Sequence, residues 1–444
     1  MRTRRLLPGL ALPALAAGLL LSSAAARAEV TVLGWPGGPE ETALRAAADL
    51  YNGQDGLAEE DRVELIFFNR DGFWDKLQTD LAAGSGEFDL NLLATYAIGR
   101  YAPFMEPITL PDGAAELFGE KVLATMQFEG QQYGVPTDLS LHFMYFREDL
   151  IDQLLSDADW QARYQEIAQE RLGKEMSPLP PEQWSWDDYQ ATALFFTKAV
   201  NPDSPTRYGT VLQMKNLLFN MMVWQSTARS FGGDWMNDQG EITVDSEAYR
   251  QGLELYKALY DAGASPKDSL SYEFAEANAA FGSGQVATML QWNAAAADLN
   301  DPDKTPAVGG KVGTVAPPSG DAGRFTHIHG LGLGLNKAAQ NKEGAVRFLE
   351  WLATPEAMQA YALAGGAPAL SKDALQPVVE QRPDLAQLGD YAGQYGFVMT
   401  GATSAGALPV YELQAQHFTG YWAGQESLDE ALSATAEGME ELLK

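Results

Sequence analysis

The sequence contains no cysteine and only four histidines, and its 30 Lys+Arg are outnumbered by 60 Asp+Glu. Each scarcity closes off a class of function. Without cysteine there is no disulfide framework, no thiolate metal site and no cysteine to carry a lipid anchor. His142, His327, His329 and His417 supply no cluster with metal-ligand spacing, although His327-Ile-His329 puts two imidazoles on one side of an extended segment. No metal and no cofactor is expected. The acidic field repels nucleic acid and anionic membrane surfaces and favours solubility, so no nucleic-acid partner is expected and the chain reads as a monomer. Catalytic signatures are missing as well. There is no G-x-S-x-G elbow, no H-E-x-x-H and no phosphate-cradling G-x-x-x-x-G-K-[ST] loop. Sixty carboxylates would permit a glycosidase pair, but no local motif sets one acid against another. A secreted glycoside-processing enzyme is therefore only the alternative from another class.

What is present begins with an address. A basic start, Met1-Arg-Thr-Arg-Arg5, precedes an apolar run from Leu6 to Leu21 broken by Pro8 and Pro13, then small residues ending Ala26-Arg-Ala28. This is the three-part pattern of a secretory signal, with cleavage expected after Ala28. With no lipid-bearing cysteine behind it, the expected location is the periplasm. Residues 1–28 hold four arginines and no acid, so the mature chain carries 26 basic and 60 acidic residues, a formal charge of −34. Its 416 residues suggest two domains. No later apolar run is long enough to span a bilayer.

Strand-like and helix-like patterns alternate from residue 30 onward. Val30–Leu33 is a short β-branched run that ends at Gly34-Trp35-Pro-Gly-Gly38. Helical spacing of Leu44, Ala47, Ala48 and Tyr51 follows, then an apolar strand at Val63–Phe68. A helix marked by Trp74, Leu77 and Leu81 leads to a third strand, Phe88–Leu93, and to Ala94-Thr95-Tyr96. Strand–helix–strand order with short connections implies right-handed crossovers and an α/β fold with a parallel sheet. Further on, Ser185 predicts a capping box with Asp188, Asp245 a helix cap, Asn341 another, and Thr354-Pro355 a helix start.

The most telling stretch is Val286-Ala-Thr-Met-Leu-Gln-Trp292 behind Phe281-Gly-Ser-Gly284. It reads as a helix end, a glycine break, a buried strand and a tryptophan where the strand leaves the sheet. In open α/β sheets ligands collect at the carboxyl ends of strands. An indole there offers a flat apolar face to the C–H side of a sugar ring, while sugar hydroxyls need groups that donate and accept. Trp35, Tyr96 and Trp224 sit at similar strand ends or glycine turns. Asp138 is the best acceptor candidate. Trp184, Trp186, Trp235, Trp351 and Trp422 are assigned to packing or surface, and Trp74 is left open.

Five segments together resemble the extracellular solute-binding proteins of the carbohydrate class, the maltose-binding-protein-like receptors of ABC importers. They are Gly134-Val-Pro-Thr-Asp138 with Met144 to Leu150, Trp184 to Tyr189 through Arg207-Tyr-Gly209, Phe231-Gly-Gly-Asp234 with Tyr249 to Gly263, Phe281 to Trp292, and Gly332-Leu-Gly-Leu-Asn336 through Trp351 and Gly365-Gly366. The resemblance implies a two-lobed periplasmic binding protein fold, each lobe a mainly parallel sheet flanked by helices, joined by a hinge that the chain crosses more than once. It implies a first lobe of 29–137 with 326–369, and a second of 138–325 with 370–444. It also implies a receptor, not an enzyme, that closes on a small neutral carbohydrate or polyol and hands it to membrane permease subunits. His329, just before Gly330, occupies a place where the family often touches ligand. The expected ligand-binding set is thus Trp35, Tyr96, Asp138, Trp224, Trp292 and His329. One departure bears on specificity: where the family often has a basic residue after the proline matching Pro368, this chain has Ala369-Leu370-Ser371. That weakens the alternative of a phosphorylated polyol such as glycerol phosphate.

Overall fold

The computed structural model describes residues 29–36, 39–68 and 72–443. The expected export signal, 1–28, and the glycines Gly37 and Gly38 beside Trp35 lie outside the described residues. In chain order the strands are β1 (Val30–Gly34), β2 (Val63–Phe67), β3 (Leu90–Ala94), β4 (Met105–Glu106), β5 (Gln127–Phe128), β6 (Gln131–Gln132) and β7 (Gly134–Ser140). They continue with β8 (His142–Arg147), β9 (Tyr208–Val211), β10 (Val286–Trp292), β11 (Val312–Val315), β12 (Thr326–His327), β13 (His329–Asn336) and β14 (Gly396–Phe397).

Two sheets organise two lobes. The first runs β2-β1-β3-β13-β4, with β7 also paired to β13; the second runs β11-β8-β10-β9. Within these two sheets, parallel pairing is confined to β1 with β2 and β3, and to β9 with β10. The remaining ladders of both sheets are antiparallel. Both sheets are therefore mixed, not mainly parallel, because segments that cross between the lobes enter each sheet against its local strand direction.

The crossings are tight. β7 pairs with β13 as far as Ser140, and β8 of the other sheet begins at His142, so Leu141 alone makes the passage. The chain returns at Ile328, between β12 and β13. The glycines of β13 explain how it fits there. A Cβ at Gly332 would stand 2.6 Å from the Val135 carbonyl oxygen, and one at Gly334 2.8 Å from that of Tyr133. Leu333 and Leu335, on the intervening positions, are buried.

The helices cover these sheets as amphipathic elements. Pro39–Asn52 packs on Pro355–Leu363, and Lys342–Leu352 lies against the first sheet. Around the second sheet, Leu218–Ser230, Glu247–Asp261, Ala407–Trp422 and Leu428–Leu442 form a packed layer. The helix Lys372–Val379, expected with the second lobe, packs on Ala114–Phe118 and Pro355–Leu363. Helix starts follow side-chain chemistry: Ser185 and Asp188 form a reciprocal capping box, Asn341 accepts from the Gly344 N–H, and Thr354 caps with Pro355 behind it. Asp245 does not cap; Ser246 stands at that position, one residue later.

Candidate functional site

The site is built where the two sheets meet. The Leu141 N–H donates to Asn293 Oδ1 at 2.9 Å, and the Asn293 N–H returns a bond to the Leu141 carbonyl at 2.9 Å. Next along, the Thr326 hydroxyl accepts from the His142 N–H at 3.0 Å and donates to the His142 carbonyl at 2.8 Å. These reciprocal pairs bind the start of β8 to the segment after β10 and to β12. The seam is thereby fixed in register.

A continuous chain of rings crosses it. From the first lobe, Trp35 meets Trp74 edge-to-face at 5.6 Å, and Trp74 meets Tyr96 at 5.7 Å. Tyr96 then faces His329 at 6.1 Å, His329 faces Trp292 at 5.3 Å, and Trp292 packs on His142 at 4.3 Å. Trp35 follows β1, Tyr96 follows β3 and Trp292 ends β10, so all three rings stand at carboxyl ends of strands, where open sheets place ligands. Trp35, Tyr96 and His329 are buried, Trp74 and Trp292 half-buried, and Phe219 stands exposed at 6.3 Å from Tyr96. Chemically, such an arrangement presents apolar ring faces with a few directional polar groups among them. That suits a ligand with both C–H faces and hydroxyls.

Around Trp35 lies a small cleft lined by Glu40, Phe67, Thr137, Leu331 and Tyr361. The indole N–H donates to Glu40 Oε1 at 3.3 Å. Beside it, Asp138 on β7 accepts from the Tyr361 hydroxyl at 3.2 Å and from the Ala367 N–H at 3.1 Å. Burial, with Glu40 nearby, pushes the Asp138 carboxyl up to about 7, against the opposing pull of those hydrogen bonds. Asp138 thus ties the first crossing to the segment around Pro368, with which it also forms an isolated bridge.

The structure brings Trp35, Tyr96, Trp292 and His329 into the ring chain and sets Asp138 close by on β7. Trp224 requires a correction. Its ring is fully buried, its N–H donates to the Gly252 carbonyl at 3.2 Å, and it packs on Tyr249, Phe418 and Trp422. The helix Leu218–Ser230 is buried on nearly every side, so position 224 faces two other helices and not the seam. Trp184, Trp235 and Trp422 are fully buried, as packing residues should be. His142, Phe219 and Tyr361 also stand at the site, although none of them is in the set expected from the sequence, and Trp74 joins the ring chain. Trp74 had a visible signal in its place at a helix start, two residues after Gly72. His142 had none, because its place opposite Trp292 is set by the β8–β10 register.

Burial holds the imidazoles well below their usual range at His142 and His329, and takes His327 to about 3. All three are neutral at neutral pH. His327 Nε2 shares a hydrogen bond with the Tyr411 hydroxyl at 3.0 Å, and its neighbour's ring, His329, lies 4.2 Å away at a 33° tilt.

Comparison with known proteins places this geometry in context. The family model described as "Bacterial extracellular solute-binding protein" matches residues 47–387. A probable amino-acid ABC transporter periplasmic-binding protein, y4oP, of Sinorhizobium fredii is 29% identical over 166 residues, covering 37% of this chain and 36% of that protein. The lactose-binding protein of Rhizobium radiobacter is 28% identical over 183 residues, covering 37% of this chain and 41% of that protein. The chain thus matches well under half the length of either relative. Among solved structures, maltose-bound MalE3 of T. maritima superposes with a TM-score of 0.73 at 22% identity, covering 94% of this chain and 100% of that one. A solute-binding protein of Agrobacterium vitis with bound D-mannitol gives 0.69 at 19% identity, covering 93% and 97%. At these identities the likeness is one of fold, a two-lobed periplasmic binding protein fold.

Proposed function

The chain belongs to the bacterial extracellular solute-binding proteins, and we propose that it is the receptor of an ABC importer that captures a neutral sugar, oligosaccharide or polyol by closing two lobes. The observation that carries this reading is the ring chain from Trp35 to Trp292, which spans the seam between the sheets. Trp35, Tyr96 and Trp292 would stack on C–H faces of the ligand, and His329 would meet its hydroxyls. Asp138 would hold the first crossing in place beneath them. The lobes are assigned as 29–137 with 326–369 and 138–325 with 370–444, apart from the helix Lys372–Val379 noted above. The family's members are transport proteins and not enzymes, and this chain is read as carrying no catalysis. Export is read from residues 1–28, with the mature receptor free in the periplasm and delivering its ligand to permease subunits. Of the two relatives, one is named for lactose and the other for amino acids, and structural neighbours hold maltose, ribitol and D-mannitol.

A thermal-shift panel on the mature chain tests the reading, using maltose, lactose, ribitol, D-mannitol, glycerol phosphate and L-amino acids. A ligand that binds only the folded form raises the melting temperature by mass action, by about 2.7 kcal/mol of stability at one hundred times its Kd. A neutral carbohydrate or polyol is expected to be the hit, with a Kd that barely changes between low and high salt. A charged ligand would be screened over roughly 10 Å at 0.1 M salt. A hit confined to glycerol phosphate or an amino acid, with affinity falling steeply in salt, would overturn the neutral-ligand assignment.

A further inference from the structure

Three of the four histidines converge on the seam, although they come from β8, β12 and β13. His142 and Trp292 are direct partners across the antiparallel β8–β10 ladder, so their side chains share one face of the sheet. Their rings meet at 4.3 Å and 71°. His329, opening β13, approaches the same indole at 5.3 Å and 54°, and lies 6.1 Å from His142. Trp292 is thus flanked by two imidazoles. Both ring nitrogens of His142 and both of His329 are buried without a hydrogen-bonding partner among the described residues. Buried polar atoms in folded proteins are otherwise almost always paired, so four such atoms around one half-buried indole call for an explanation.

We propose that His142 and His329 form one ligand-binding element with Trp292: the indole takes a C–H face of the ligand and the two imidazoles take its hydroxyls. This rests on the reading above and deepens it. An uncharged imidazole carries one donor and one acceptor nitrogen, and a hydroxyl likewise donates and accepts. Two imidazoles beside one ring therefore match adjacent hydroxyls on a sugar or polyol. They match a phosphate or carboxylate poorly, since an anion leaves the acceptor nitrogens unused, and an ammonium group leaves the donors unused. His327 acts as a positioning residue. Its ring lies 4.2 Å from that of His329 at a 33° tilt, anchored to Tyr411 through Nε2, and its backbone N–H donates to Ser226 Oγ at 3.1 Å.

A proton dependence follows. The titratable groups facing the trio are the imidazoles themselves, Tyr96 beside His329, and Tyr411 beside His327. Asp138 lies on β7, paired to β13 two residues beyond His329. The Arg229–Asp234 pair stands behind Phe397, whose ring packs on His327. Burial and mutual repulsion between imidazoles both favour their uncharged forms. An opened, solvated site takes up protons more readily, so binding is at full strength above the ordinary imidazole range and weakens as pH falls below about 6.5.

Calorimetry with maltose and D-mannitol as probes, from pH 7.5 to pH 5, tests the assignment in the full mature chain. The Kd is expected to rise below about pH 6.5, by up to tenfold per pH unit for each imidazole that must lose a proton. His142→Leu and His329→Leu are expected to weaken binding at pH 7.5 by about tenfold or more and to flatten the acid response. His142→Gln, which keeps a donor and an acceptor, should retain more affinity than His142→Leu. His417→Gln, at a histidine bonded to Glu426, should change neither property. Wild-type affinity in folded His142→Leu overturns the proposal. So does a flat Kd in the unmutated protein across this pH range, which decides the matter even if the leucine variants fail to fold. If neither probe, nor any other carbohydrate or polyol of the panel, binds the unmutated protein, the receptor reading for neutral ligands falls and this assignment with it.

Discussion

Replacing Trp292 by alanine is expected to weaken carbohydrate or polyol binding about thirtyfold while the melting temperature falls by only a few degrees. Losing a ring that is desolvated in the complex removes on the order of 2 kcal/mol, the scale of an interface hot spot. The fold should tolerate the loss, because the side chain is only half-buried at the edge of the core and its ring partners are the imidazoles of His142 and His329. The backbone there is held independently of the indole. The Trp292 carbonyl accepts from the Tyr145 hydroxyl at 2.8 Å, and its N–H donates to Gln291 Oε1 at 2.9 Å. Calorimetry for affinity and differential scanning for stability, run on the same preparation, separate the two effects. Collapse of the melting temperature, or unaltered binding, would mean that the ring is a packing residue.

Trp224→Ala should behave in the opposite way, with a drop of about 3–5 kcal/mol in stability and near-normal affinity for whatever protein remains folded. Deleting the indole opens a cavity between three helices and strips Tyr249, Phe418 and Trp422 of their shared neighbour. It also takes the hydrogen-bond donor from the Gly252 carbonyl. The helix Glu247–Asp261 approaches closely at that glycine, where a Cβ would stand 3.0 Å from the indole, so collapse to fill the gap is restricted. At about 2–4 °C per kcal/mol for domains of this size, the melting temperature should fall by roughly ten degrees. An unchanged melting temperature would contradict the placement of this ring.

The contrast between these two tryptophans shows what the sequence makes legible. The strand Val286–Trp292 is found with the ends read from its residues, because a glycine break precedes an apolar run and a single aromatic closes it. Local chemistry of this kind also locates the caps at Ser185, Asn341 and Thr354. Trp224 misleads for the opposite reason. Its helix buries Asn220, Gln225, Ser226 and Thr227 as well as its apolar residues, so no polar stripe marks which face meets solvent. The mixed sheets and His142 lie beyond any local pattern. The pairing of His142 with Trp292 joins positions 150 residues apart, and only the crossing at Leu141 decides it. Asp138 was legible as an acceptor for ligand hydroxyls, but its partners Tyr361 and Ala367 arrive from a distant helix and the segment after it.

The central claim is that a ligand sits between two lobes that close on it, and small-angle X-ray scattering of the mature protein tests this most directly. Closure around a bound solute is the established mechanics of this fold. Scattering is measured with and without the best carbohydrate or polyol from the thermal-shift panel, at a concentration calorimetry shows to be saturating. The account predicts a smaller radius of gyration in the saturated sample. An unchanged profile at proven saturation would contradict it.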